Sequence, residues 1–199
     1  MSRHSVPRHS SEDSARERLL RAAAILFYNN GVGGTGIDAI VQRAGVAKKS
    51  LYNNFASKAD LVNQYLDIRH AEWLGLYDAR LKQAVTPREK VLAVVDAYQD
   101  HAEDAYERGF RGCGLLNAAA ELAADDVGRQ AVRKHKEEVE ALLAAHVAEL
   151  LPDDKARAAR LARQLSFILE GAISRAGLEG NSALVLEART MAVEMLEAL

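Results

Sequence analysis

The chain has 199 residues, 49% of them hydrophobic and 27% charged, with three prolines and one cysteine. That size and apolar content suffice to bury a core in one or two domains, while a lone cysteine excludes an internal disulfide framework and fits a reducing compartment. The net charge of −2 argues for no nucleic-acid partner, but residues 1–60 hold nine Lys and Arg against five Asp and Glu, whereas residues 61–199 hold seventeen against twenty-three, so the basic excess that phosphate contact needs lies at the N-terminal end.

In chain order, residues 1–13 are rich in Ser, His and Arg and read as a flexible arm, with no apolar run of the export type. No later segment approaches the roughly 18 apolar residues of a membrane span, so a cytoplasmic location is expected. Leu20, Ala23, Ala24 and Phe27 then recur at helical spacing in a segment that ends at Gly31. The run Gly31-Val-Gly-Gly-Thr-Gly36 has the letters of a dinucleotide-binding loop. Such a loop must follow a strand, and here an amphipathic helix precedes it, so it is read as an interhelix connection.

Ile37, Ile40, Val41 and Ala44 form one apolar stripe about two turns long, closed by Gly45 as a C-cap. A second short pattern, residues 48–54, has Leu51 and the following Phe55 as inward anchors. Two short helices joined at a glycine turn can lay the second in the DNA major groove. Lys48, Lys49, Ser50, Tyr52 and Asn53 then face solvent, with Thr35 and Lys58 expected on the same surface. Lys49 and Ser50 suit base edges, and Tyr52 and Lys58 suit phosphates.

Beyond this point the pattern is helical throughout. Ser57, with Asp60 three residues on, is the N-cap of a helix to about Gln83. Thr86-Pro87 starts another to about Arg108, and Gly109, Gly112 and Gly114 bracket a loop. Helices are expected over 115–123, over 128–150, from Pro152 to Gly177, and after Ser182 as a final cap. Strand-like alternation is absent, so the fold class is all-α: an arm over 1–13, a helix-turn-helix DNA-binding unit over 14–56 and a helical ligand-binding and dimerisation domain over 57–199. Leu165, Ile168, Leu169, Ala172 and Ile173 make one apolar stripe, and Ala188, Met191 and Met195 belong to another. These are the candidate dimer interface, because two recognition helices on a symmetric operator roughly add their binding free energies.

Trp73, Tyr77, Tyr98, His101, Tyr106, Phe110, Cys113, Asn117, Glu121, Phe167 and Glu170 supply the mix of aromatic and polar groups found in small-molecule pockets. Cys113 reads as a space-filling side chain between two glycines. The six histidines form no metal-binding spacing, and no serine sits in a nucleophile elbow, so neither a metal, a cofactor nor an enzyme activity is expected.

Residues 16–61 resemble the N-terminal domain of the tetracycline-repressor (TetR) family of bacterial regulators. The matching positions are Arg16, Leu19, Leu20, Ala22, Ala23, Leu26, Phe27, Gly31, Thr35, Ile37, Ile40, Ala44, Gly45, Val46, Leu51, Tyr52, Phe55, Lys58 and Leu61. Val32, Gly36, Ala47, Asn53 and Asn54 depart from the family pattern, and the departures bear on the cap of the second helix and on the bases read. The resemblance implies a homodimeric transcriptional regulator, a repressor released from a palindromic DNA operator by a small-molecule effector. It further implies that the last two helices form a four-helix bundle between subunits, and that the segment from Arg111 to Asn117, with Glu121, opens the helix that moves on induction. The alternatives are a regulator acting through a protein partner, or a redox-sensing repressor using Cys113.

Overall fold

A computed structural model describes residues 13–199; of the arm expected over 1–13, all but Asp13 lies outside the described residues. Every regular element among the described residues is an α-helix. Helix α1 (Ala15–Asn30) opens with a reciprocal cap in which Glu17 N–H donates to Ser14 Oγ and Ser14 N–H donates to the Glu17 carboxylate. It is followed by α2 (Ile37–Ala44) and α3 (Lys48–Asn54). Gly45 takes the left-handed conformation between them, φ 64° and ψ 39°, which a side chain would disfavour. Leu19, Ala23, Phe27, Ile40, Leu51 and Phe55 bury themselves where the three helices meet, each large side chain contributing about 1.5–3 kcal/mol. The missing side chain of Gly36 leaves α2 without a side-chain cap.

Helix α4 (Lys58–Leu81) starts at Ser57, whose Oγ accepts from Asp60 N–H. The Asp60 carboxylate accepts from Ala56 N–H instead of from the cap residue, so the box is shifted by one position. Helix α5 (Pro87–Glu103) has the full reciprocal cap between Thr86 and Glu89. It stops five residues short of the expected end, because Asp104 is extended (φ −63°, ψ 158°) and the Tyr106 hydroxyl turns back to donate to the His101 carbonyl. The rest are α6 (Gly114–Ala120), α7 (Val127–Leu150), α8 (Lys155–Glu179) and α9 (Ala183–Glu197). Ser182 stands at the N-cap of α9, but its side chain makes no capping bond. Asn181 Oδ1 accepts from Ala183 N–H, and Ser182 Oγ donates to Glu103.

Helix α5 is the axis of this second group, packed by α4, α7, α8 and α9. Its Val91, Val94, Val95 and Ala97 are inaccessible to solvent. Helix α1 touches both α4 and α6, so the first three helices rest on the beginning of α4 and on the short helix α6.

Candidate nucleic-acid interface and effector cavity

Helix α3 exposes Lys48, Lys49, Tyr52 and Asn53, with Ser50 half-buried, around the buried anchors Leu51 and Phe55. Arg16 lies over the Phe55 ring at 5.7 Å and so braces the end of α3 from α1. Lys48 Nζ pairs with Asp38 of α2 at 2.8 Å, and that hydrogen bond raises its pKa. Two of the expected contacts are placed differently. Thr35 is 1% exposed and its Oγ1 donates to the Leu26 and Gly31 carbonyls, so its side chain fastens the loop and is not presented to DNA. Lys58 is half-buried and its Nζ donates to the Val32 carbonyl at 2.7 Å, which commits one of its three protons to the same loop.

Among the ligand candidates, Trp73, Tyr98, His101 and Cys113 come together around a cavity of about 20 Å³, room for roughly one water. Glu170 stands beside it, accepting from the Tyr98 hydroxyl at 2.6 Å and from Lys136 Nζ at 2.9 Å. Lys136 Nζ also lies 3.6 Å from Cys113 Sγ. The other wall residues, Arg69, Gly114, Leu115, His135, Lys136 and Ile173, were not among the ligand candidates, and Ile173 was expected at the dimer interface. His101 is held down at about 4 and His135 at about 3, by burial first and then by neighbouring positive charge, from Arg69 and Lys136 on His101 and from Lys136 on His135. Both rings are therefore neutral at pH 7.

The remaining candidates lie elsewhere. Tyr77 is buried with its hydroxyl 2.7 Å from His146 Nε2. Phe110 packs with His101 and Tyr106, and Asn117 Nδ2 donates to the Arg111 carbonyl. Phe167 is 67% exposed on α8 and is not part of that cavity's wall. Tyr106 stacks on Tyr28 of α1 at 4.5 Å and shares with it an open cleft of about 520 Å³, which Arg69 also lines.

Glu121, expected to line a ligand site, instead holds the loop between α1 and α2, accepting from Val32 N–H at 3.0 Å and Gly33 N–H at 2.6 Å. Since Lys58 takes the Val32 carbonyl, this one residue is tied through its two backbone groups to the residue that ends α6 and to the first residue of α4. Gly31, at φ 82°, and Gly33 leave the space the carboxylate occupies, for a Cβ on either would fall within 3.1 Å of it. Arg111 completes the clasp, with Nη1 donating to the Tyr28 and Asn29 carbonyls at the end of α1 and its N–H donating to the Tyr28 hydroxyl. Burial pushes that hydroxyl up to about 12, so it stays protonated and donates in turn to the Gly112 carbonyl. Replacing Glu121 with Ala is expected to cost about 1 kcal/mol, because two loop amides lose a charged acceptor while keeping access to water. Hydrogen exchange at Val32 and Gly33 should accelerate in that variant; unchanged exchange there would contradict the clasp.

Residues 19–65 match the family described as bacterial regulatory proteins, tetR family. The fold is similar to that of a TetR-family transcriptional regulator from Streptomyces coelicolor, with 26% identity, a TM-score of 0.84, and coverage of 92% of this chain and 95% of that one. A putative TetR transcriptional regulator from Streptomyces avermitilis is 30% identical, with a TM-score of 0.75, over 93% of this chain and 99% of its own. The chain belongs to the TetR family. Its curated relatives include the HTH-type transcriptional activator FasR of Mycolicibacterium smegmatis, 38% identical over 46% of this chain and 42% of that protein. The HTH-type transcriptional repressor KstR2 of the same organism is 36% identical over 41% of this chain and 40% of its own length. The chain thus matches less than half the length of either. These relatives are transcriptional regulators, not enzymes.

In this TetR-family chain the apolar stripes of α8 and α9 divide between two destinations. Leu165, Leu169, Ile173 and Ala188, expected at a subunit interface, are at most 2% exposed in the chain's own core. Other apolar side chains stay open. Phe167 and Leu178 are exposed on the side of α8 away from that core, Leu186 and Met191 are exposed on α9, and Ile168, Ala172 and Met195 are half-buried. Periodicity showed that each helix has an apolar side, and the neighbour of the stripe, Phe167, turned out to carry the outward part.

Proposed function

We propose that this chain is a homodimeric transcriptional repressor that holds a palindromic operator through α3 and releases it when a small molecule binds among α4 to α8. Residues 14–56 are the DNA-reading unit in this reading, and residues 57–199 carry effector and partner subunit. The observation that carries it is the outward face of α3, where Lys49, Tyr52 and Asn53 stand clear of the protein while Leu51 and Phe55 fix the helix beneath. Repression is supported by KstR2, a repressor, and by the simplest action of a bound helix-turn-helix protein, which is to occupy the promoter; FasR, an activator, is the comparison that a reporter assay must decide against. A redox reading has one supporting contact, the Lys136 ammonium near Cys113, but the thiol is only 8% exposed.

The test is a mobility-shift assay on the DNA upstream of the chain's own coding sequence, with a Lys49→Ala variant beside the unmodified protein. Loss of a base-edge contact should cost about 1–3 kcal/mol on the operator and little on unrelated duplex. A protein that retards no upstream fragment, or a variant weakened equally on every sequence, would count against this assignment of α3.

A further inference from the structure

Arg69 Nε and Trp73 Nε1 are buried side-chain donors with no acceptor among the described residues. They stand four residues apart on α4, hence on one face of it, and both line the cavity under α5 and α7. Arg69 Nη2 is paired to Glu72, and Cζ lies 6.0 Å from the Tyr65 ring. A buried N–H without an acceptor is costly, and two on residues that line one cavity can be met by a single acceptor placed in it. Trp73 is 5% exposed, so its indole N–H must be met inside the protein.

We propose that the effector is an organic acid with an apolar body, whose carboxylate accepts from Arg69 Nε and Trp73 Nε1. This rests on the ligand-responsive reading above and names the class of ligand. Arg69 and Lys136 line the cavity already paired with Glu72 and Glu170, and His101 and His135 beside them are neutral, so the acid is recognised through the two unmet donors and not through unpaired positive charge. At about 20 Å³ the cavity has room for one carboxylate oxygen, the shared acceptor, so the other carboxylate atoms and the apolar body lie outside it. Arg69 also lines the open cleft of about 520 Å³, a volume in the usual range for small-molecule sites. Carboxylates in that outer wall, Asp104 and Glu107, already have partners in Ala105 N–H and Arg43 and would repel a second charge, so the part of the ligand lying there is uncharged.

The same pose explains how the signal reaches DNA. One wall of the cleft is α1, through Ala24, Ile25, Tyr28 and Asn29. A ligand body wedged there presses on the Tyr28–Tyr106 stack and on the α1 carbonyls held by Arg111, and so tilts the unit that carries α3.

Trp73 is the chain's single tryptophan, which makes its fluorescence a direct reporter. The full chain, free of DNA, is titrated with octanoate and phenylbutyrate, and with octanamide and octylamine as neutral and cationic controls. A saturable change in emission is expected for at least one acid below roughly 1 mM, with the amide at least about tenfold weaker and the amine silent. Arg69→Lys keeps the charge but has no Nε, and Trp73→Phe keeps the ring but has no N–H. Followed by calorimetry, each should weaken the acid at least about tenfold, with circular dichroism confirming that both are folded. Amide and acid binding alike, no response to either acid, or acid affinity unchanged in the folded Arg69→Lys protein would each overturn the proposal. A mobility shift by the unliganded protein is run in parallel. Operator binding without any acid response sinks this inference alone, whereas acid binding without any operator sinks the repressor reading and leaves the site standing.

Discussion

Replacing Phe167 with Asp should convert the protein from dimer to monomer and weaken operator binding by about a hundredfold or more. Phe167 is 67% exposed and Leu178, eleven residues on, lies on the same side of α8, while Leu186 and Met191 are exposed on α9. Large apolar side chains left open on adjacent helices mark an interaction surface. A carboxylate placed within it on assembly would lose its water without gaining a partner, at a cost of several kcal/mol. The affinity loss follows from symmetry, since a monomer contacts one half-site and forfeits the second set of base and phosphate contacts. Because Phe167 is outside the core, circular dichroism and the monomer's unfolding transition should be nearly unchanged, which separates loss of assembly from loss of fold. Sedimentation at micromolar concentration is the measurement. An unmodified protein that sediments as a monomer, or a Phe167→Asp variant that remains a dimer, would mean that this face does not join two subunits.

The second large effect is expected at Gly177, where α8 meets the segment before α6. A Cβ there would lie 2.6 Å from both Cα and N of Gly112 and 2.8 Å from the Arg111 carbonyl carbon. These are backbone atoms, so no rotamer change can relieve the overlap. Gly177→Ala should therefore destabilise the protein by about 1–3 kcal/mol, as overpacking does, even though Ala is ordinarily the better helix residue. The displaced segment carries Arg111 and the Gly112 carbonyl, and with them the clasp on Tyr28 and Asn29, so operator affinity should fall as well. Gly75 on α4 supplies the contrast. A Cβ there meets nothing within 4 Å, and Gly75→Ala should stabilise by about 0.5–1 kcal/mol. Urea unfolding of the two variants tests the pair. A Gly177→Ala protein as stable as its parent would show that the segment moves away from α8 freely.

The helix-turn-helix was legible because its determinants are local. Ile37, Ile40, Val41 and Ala44 repeat within two turns, and Gly45 ends the helix by its own backbone freedom, whatever surrounds it. Thr35 was misassigned because its hydroxyl is used by the Leu26 and Gly31 carbonyls, and only the folded path of the loop brings these to it. Glu121 was misassigned for a related reason. The helix expected over 115–123 ends at Ala120, so Glu121 stands beyond it and reaches the amides of a loop far earlier in the chain. Arg69 and Lys136 were missed altogether, since a charged residue on an amphipathic helix reads as solvent-facing until another helix covers it.

By itself, the order of residues determined that this chain is helical, where most of its helices begin and end, and that its basic N-terminal end carries a DNA-reading pattern of the TetR type. Those properties depend on spacing, caps and charge within a few turns, and they do not require knowing what lies across from each helix. The tertiary structure alone decided which side of the α8 stripe is core and which is open, that Glu121 and Lys58 hold Val32 from two distant segments, and that two α4 residues whose donors have no acceptor among the described residues line one cavity. Each of these is a relation between segments distant in sequence. A period of 3.6 residues reveals that a helix has a face, and only the packed neighbours reveal what that face meets.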